Sequence, residues 1–228
     1  MKSNYYSKKL HSNKLKECYN LATPRIQKYL EEEIKFVLKY ILPTHKVLEL
    51  GCGYGRVIEK IARKTKEVYG IDISKKNIEC AKKYLKEFNN VKLLKMNANS
   101  LGFKNNEFDV TIAIQNSISS FKISPIKLVE ECYKVTKNGG KILLSSYSEK
   151  LWEERLKWFY KQSERGLVGE IDEERTTNGT IICKDGFEAT TFSKKRFQEL
   201  KQKMKLDAEI VEVDNSSIFC IIIVKKSR

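Results

Sequence analysis

Glu49, Gly51, Gly53 and Gly55 stand at alternate positions in the stretch Lys46 to Arg56, KVLELGCGYGR. Glycines at that spacing lack the Cβ that would hold a backbone away from a ligand. A helix opening directly after them points its free N–H groups at a polar or anionic group. Asp72 closes the apolar run EVYGIDIS (67–74) a short way downstream. In doubly wound folds a carboxylate at that place accepts hydrogen bonds from ribose hydroxyls. A helix N-cap role is the competing structural explanation for Asp72, and Ser74 is available to share it. The chemistry implied is nucleotide binding. The G-x-G-x-G spacing after an acidic residue differs from the dinucleotide pattern G-x-G-x-x-G.

These residues need a strand before the glycines and a helix after them. Val47, Leu48 and Leu50 form a short apolar run, as a buried strand does. Val57, Ile58, Ile61 and Ala62 recur at helical spacing. The pattern predicts further strands over 67–74, 91–98 (VKLLKMNA), 105–118 (NNEFDVTIAIQNSI) and 141–148 (KILLSSYS). Helices alternate with them: one carries Ile78, Ala81, Leu85 and Phe88, and another opens at Pro125 and ends in the turn Asn138-Gly139-Gly140. Upstream, Thr23-Pro24 starts a helix whose apolar stripe is Ile26, Leu30, Ile34, Val37, Leu38 and Ile41, stopped before Pro43. Residues 149–191 read as a helix followed by a hairpin around Lys184-Asp185-Gly186. A last helix and two strands joined by a tight turn complete the chain.

The glycine stretch closely resembles the first motif of class I S-adenosylmethionine-dependent methyltransferases, and GIDIS, the strand-four stretch and TKNGGKILL resemble its later motifs in order. The resemblance covers residues 19–148 and, by pattern, the C-terminal hairpin. It implies a doubly wound, seven-stranded, mostly parallel sheet with an antiparallel C-terminal hairpin, in a three-layer α/β/α sandwich. It divides a single domain into an N-terminal helical cap (1–45), a cofactor-binding core (46–148), a helix-plus-hairpin insert covering the substrate site (149–191), and the last helix and hairpin (192–228). The cofactor implied is S-adenosyl-L-methionine, leaving S-adenosyl-L-homocysteine. The resemblance places Glu49, Gly51, Cys52, Gly53, Gly55, Asp72, Ile73, Asn97, Ala98 and Gln115 on that cofactor. Where the family reads adenine with an acidic residue or Asn, this chain has Asn97. Tyr19 lies in a lead-in, CYNLATPR, resembling the segment that closes over the cofactor, and Arg25 is the candidate partner of the methionine carboxylate. His11, Tyr19 and Asn116 are the candidates for catalysis, although methyl transfer forces no catalytic residue unless the acceptor must lose a proton. A lid is expected from residues 5–25 and 150–190.

The chain of 228 residues suits one decorated domain and is 41% hydrophobic, enough for a core. Neither a membrane-spanning run nor a signal-peptide pattern is present, so a cytoplasmic protein is expected. Six dispersed cysteines and two histidines, without any C-x-x-C pair, argue against a metal site. Cys52, inside the glycine turn, is a poor nucleophile candidate. The net charge of +15 raises nucleic acid as a partner, yet only eight of the 44 basic residues are Arg and the lysines alternate with Glu along every helix. Motifs typical of exocyclic-amine or cytosine-C5 methylation are missing. The favoured reading is transfer of a methyl group to nitrogen, oxygen or sulfur of a small molecule. An RNA or protein methyltransferase using its basic surface is the alternative, and a non-catalytic S-adenosylmethionine-binding protein a third. The acceptor and the oligomeric state are not readable from the sequence.

Overall fold

The computed structural model describes Tyr5 and residues 9–226. Two helices, α1 (Asn13–Asn20) and α2 (Pro24–Leu38), lead into β1 (Lys46–Leu50), α3 (Arg56–Ala62), β2 (Glu67–Asp72), α4 (Lys75–Tyr84), β3 (Val91–Lys95) and β4 (Phe108–Ala113). Next come α5 (Ser117–Ser120), α6 (Pro125–Val135), β5 (Thr136–Tyr147) and α7 (Trp152–Glu164). The chain continues through β6 (Thr180–Ile182), β7 (Glu188–Thr190), α8 (Lys194–Met204), β8 (Ala208–Val213) and β9 (Ser217–Ile223). Helix starts follow their capping chemistry. Thr23 accepts from Ile26 N with Pro24 at the first helical position, and Ser74 accepts from Asn77 N to open α4.

The main sheet has the order β3-β2-β1-β4-β5-β9-β8. Strands β1 to β5 are mutually parallel; α3, α4 and the pair α5–α6 make the crossovers β1–β2, β2–β3 and β4–β5, and β3 reaches β4 through residues 96–107 without a helix. One face buries Ile34, Val37, Val57, Ile58, Ile61 and Ile78; the opposite face buries Leu128, Val129, Cys132, Phe197 and Leu200. Strand β9 shows the alternation plainly: Ile218, Cys220 and Ile222 join one core, Phe219 and Ile221 the other. The doubly wound three-layer architecture is therefore present. The antiparallel C-terminal hairpin is present as well: β9 runs against β5, and β8 turns back beyond it. One detail differs from the sequence reading: β5 starts at Thr136, straight from α6, with Asn138-Gly139-Gly140 inside it as a bulge, so that Phe108 pairs with Thr136 and Val110 already with Lys141. Among the described residues no helix is long and apolar enough to cross a membrane.

A third core lies beyond the C-terminal ends of the strands. Leu10, Cys18, Ile26 and Tyr29 from the N-terminal segment pack with Trp158, Phe159, Ile181, Phe187 and Ala189 from the stretch after β5. Trp158 Nε1 donates to Cys18 O at 2.8 Å, and Lys9 pairs with Asp185 of the hairpin turn at 3.2 Å. Both expected covering segments thus form one body on the same rim; residues 6–8 of the first lie outside the described residues.

Arg155 ties that body together. Its side chain is buried, with Nη1 on Thr191 Oγ1 at 2.6 Å, Nη2 on Ala189 O at 2.6 Å, and the guanidinium 4.2 Å from the Tyr147 ring centroid. Truncation would leave a buried carbonyl and hydroxyl without their donor, each costing on the order of 1–3 kcal/mol. Arg155→Ala is therefore expected to lower stability by roughly 2–4 kcal/mol, read from the urea midpoint. Arg155→Lys should recover only part, because an ammonium cannot reproduce the planar fork. An unchanged midpoint in Arg155→Ala would show that the guanidinium is not holding the hairpin.

Candidate active site

The glycine turn is bound to the end of β2: Gly51 N and Cys52 N both donate to Ile71 O, at 2.8 and 2.9 Å. Gly51 and Gly53 have φ of +74° and +54°, which L side chains rarely adopt. A Cβ on Gly51 would lie 2.7 Å from the Phe121 ring, and one on Gly53 3.0 Å from Leu15 Cδ2. The bare backbone of the turn therefore faces the α1 segment and the residue that ends α5. Cys52 turns its sulfur toward Gly70, and burial pushes its thiol well above the ordinary range, so it is wall rather than nucleophile.

Asp72 and Ser74 divide their tasks as the sequence allowed. Ser74 caps α4, while Asp72 Oδ1 accepts from Ser74 N at 2.7 Å and from Asn77 Nδ2 at 3.3 Å. Its Oδ2 accepts from Gly53 N at 3.0 Å, which joins the carboxylate to the glycine turn. Burial raises the Asp72 pKa against these three donors. A carboxylate offers about four lone-pair sites, so acceptor capacity remains. Beside it Ile73 is an exposed apolar side chain, and at the end of β3 Asn97 is exposed and Ala98 buried. Asn97 Oδ1 accepts from Asn99 N at 2.9 Å, a local turn that fixes its orientation.

Between this rim and the third core lies a polar seam. Glu33 of α2 is fully buried, with Oε2 accepting from Gln115 N at 3.0 Å. Gln115 and Asn116, just past β4, both have positive φ, 55° and 64°. Consecutive non-glycine residues in this region are costly and are held by their surroundings. Tyr19 OH reaches Gln115 Oε1 at 3.5 Å, and its ring lies 4.7 Å from the Arg56 guanidinium. Glu49 is buried, and burial pushes it up to about 8, with Arg56 opposing. Five buried polar atoms converge here without a partner among the described residues: Tyr29 OH, Glu33 Oε1, Glu49 Oε2, Arg56 Nη2 and Gln115 Nε2. Unpaired buried groups cost free energy, so a cluster of them on a rim is a site built for a polar guest.

Some expected residues are not brought to this seam. Arg25 pairs with Asp214 Oδ2 at 2.8 Å and Asp214 O at 2.7 Å, on the turn between β8 and β9. That is the far edge of the sheet, so Arg25 is corrected to an edge brace; Arg56 is the guanidinium at the seam. His11 opens onto a depression of about 480 Å³ lined by Lys9, Ser12, Asn13, Lys14 and Lys76, with no residue of β4 or β5. Asn116 is buried and spends its amide on structure: Nδ2 donates to Thr190 O at 3.0 Å and Oδ1 accepts from Ser146 Oγ at 2.7 Å. Glu33, Tyr29 and Arg56 went unnoticed as site residues. A charged residue between Leu30 and Val37 on an inward helical stripe was the signal for Glu33.

Residues 47–140 match the family model described as a methyltransferase domain. Over that stretch the chain is similar to methyltransferase domains, and its fold is the one shared by S-adenosylmethionine-dependent methyltransferases of known structure. An uncharacterised protein of Methanocaldococcus jannaschii, MJ1123, is 32% identical over 133 residues, covering 55% of this chain and 60% of that protein. A ubiquinone biosynthesis O-methyltransferase of Pelagibacter ubique is 30% identical over 150 residues, covering 61% of this chain and 59% of that enzyme. The chain thus spans about three fifths of the length of these curated relatives. The crystal structure of a SAM-dependent methyltransferase from Aquifex aeolicus superposes with a TM-score of 0.63 at 16% identity, covering 92% of this chain and 97% of that one, a likeness of fold. The cofactor of the family is S-adenosylmethionine. The bare glycine backbone, the carboxylate of Asp72 and the unpartnered seam atoms fit a zwitterionic nucleoside of that kind.

Proposed function

We propose that this methyltransferase transfers the methyl group of S-adenosylmethionine to nitrogen, oxygen or sulfur of a small molecule. The observation that carries the reading is the roof. Leu15 of α1 stands on the glycine turn and Tyr19 on Arg56, and Tyr19 packs against the apolar core that Cys18 shares with the insert. A site so covered admits a compact acceptor and excludes water; a polymer would need an open groove. The Pelagibacter enzyme, whose name gives a ubiquinone-pathway O-methylation, supports the same size class. Lysines of the sheet region, such as Lys46, Lys92 and Lys137, are paired with acids, as on a solvated surface.

In this reading Asp72 holds the ribose, Ile73 covers one adenine face, and Asn97 with the Ala98 backbone meets the adenine edge. The glycine turn, Glu49 and Arg56 receive the methionine end. When bound, the cofactor supplies an activated methyl on a sulfonium, so the protein's task is orientation and exclusion of water. Lys16 lies 5.3 and 5.1 Å from the rings of Tyr54 and Tyr84, a contact that must loosen when α1 lifts to admit ligands.

The test is incubation of the protein with methyl-labelled cofactor and a size-fractionated cell extract. Label is expected in the small-molecule fraction. Label confined to RNA or protein would move the acceptor to a macromolecule, and binding without label in any fraction would leave a cofactor-binding protein.

A further inference from the structure

We propose that Glu33, assisted by Tyr29, accepts the proton that the methyl acceptor gives up, so that the acceptor is a hydroxyl, a thiol or an N–H nitrogen rather than an aprotic centre. This rests on the methyl-transfer reading above. The argument begins with placement. Residues 26, 29, 30, 33, 34 and 37 share the inward stripe of α2, and apolar Ile26, Leu30, Ile34 and Val37 surround Tyr29 and Glu33. A fully buried carboxyl on that stripe is the exception among apolar neighbours. Its Oε2 is fixed by Gln115 N at the end of β4, and Ser145 Oγ accepts from the same N–H at 2.9 Å. Oε1 has no partner among the described residues, nor has the adjacent Tyr29 hydroxyl. Ligands of doubly wound folds lie beyond the C-terminal strand ends, which is where these two atoms sit.

The groups facing Glu33 come from several elements: Tyr29 on its own helix, Arg56 on α3, the Gln115 N–H just past β4, Ser145 on β5 and Ser217 on β9. Tyr29 in turn faces Tyr19 of α1, Tyr147 of β5 and Arg155 of α7, and Arg56 also faces Glu49 of β1. Burial pushes Glu33 up to about 8, with Ser145, Gln115 N–H and Arg56 acting downward. Burial also holds Tyr29 well above the phenol range, so its hydroxyl stays neutral beside the carboxyl. A base poised near neutrality is matched to its work. In the step, the acceptor lone pair forms the new bond to the methyl carbon, and the carbon–sulfur bond breaks with its electron pair kept by sulfur. The acceptor's proton passes to Glu33 Oε1 and is later lost to solvent.

The experiment measures label uptake into the small-molecule fraction between pH 6 and 9.5 for wild type, Glu33→Gln and Tyr29→Phe. Calorimetry with S-adenosylhomocysteine serves as the folding control. Wild-type uptake should climb tenfold per pH unit and level off near 8. Glu33→Gln should fall by 10²–10³-fold and lose the inflection. Should Glu33→Gln fail to bind S-adenosylhomocysteine, Tyr29→Phe carries the test through a displaced inflection; an inflection in Tyr29→Phe at the wild-type pH would then overturn the proposal. Uptake in Glu33→Gln within threefold of wild type, with the same profile, would also overturn it and leave the methyl-transfer reading intact. No uptake by a wild-type protein that binds S-adenosylhomocysteine would remove the methyl-transfer reading and Glu33's role together.

Discussion

Asp72→Ala is expected to bind S-adenosylhomocysteine about 30- to 1,000-fold more weakly than wild type, a loss on the order of 2–4 kcal/mol. Two effects add. On the proposed reading the ribose loses its charged acceptor, and the glycine turn loses its brace, because Gly53 N, Ser74 N and Asn77 Nδ2 all converge on this one carboxylate. Asp72→Asn should fall between the two, since its amide keeps an acceptor oxygen but turns N–H hydrogens toward backbone donors. Calorimetry gives the affinity and thermal unfolding without ligand gives the brace. Unchanged affinity in a folded Asp72→Ala would take the ribose away from this residue. A preference for NAD over S-adenosylhomocysteine would contradict the assigned cofactor site as a whole.

Stability is expected to fall as pH rises from about 5 to about 9. Glu33 and Glu49 both have folded pKa values pushed up to about 8 by burial. In the unfolded chain a glutamate titrates near ~4.3. Between those values the native state keeps protons that the unfolded state releases, so the contribution is fully present below the unfolded pKa and is lost through the folded one. Each pKa unit corresponds to about 1.4 kcal/mol, and after relaxation the two groups together should cost several kcal/mol, roughly 3–6. Urea midpoints at pH 5.5 and 8.5 measure this, and the double variant Glu33→Gln/Glu49→Gln should flatten the difference. Acids whose pKa is lowered, such as Asp109 and Asp185, lose their contribution as pH falls through their depressed values, outside this window. A midpoint that rises between pH 5.5 and 8.5 would mean the two carboxyls are ionised in the folded protein. Such a cost at a functional rim is the usual trade of stability for activity.

Local signals brought the glycine turn and the rim beside it into view. Strand, glycine turn and helix are contiguous, and Asp72, Asn97 and Gln115 each follow an apolar run, so periodicity and order place them on one rim. The seam is different in kind. Glu33, Gln115, Tyr19 and Arg56 come from four separate elements, and their meeting depends on how α2 is rotated against the sheet. Arg25 shows the limit. It is one residue from Ile26, which turns it about 100° around the helix toward Asp214. Sequence proximity to Tyr19 said nothing of that rotation. The start of β5 was misread for a related reason: Gly139 and Gly140 are punctuation for a turn, and a bulge in a strand uses the same residues.

The position of β9 bears on how the molecule assembles. It is the last strand in sequence, yet it lies between β5 and β8, and its partners on β5 are roughly 70 to 80 positions away along the chain. Pairing at that separation carries a loop-closure penalty before any contact repays it, which slows the search. Until β9 arrives, β5 is an open edge with Ile142, Leu143 and Leu144 uncovered, and β8 has nothing to pair with. An intermediate containing β1 to β5 therefore offers a template for a strand from another molecule. Refolding yield should consequently depend on protein concentration, with losses set while that edge waits.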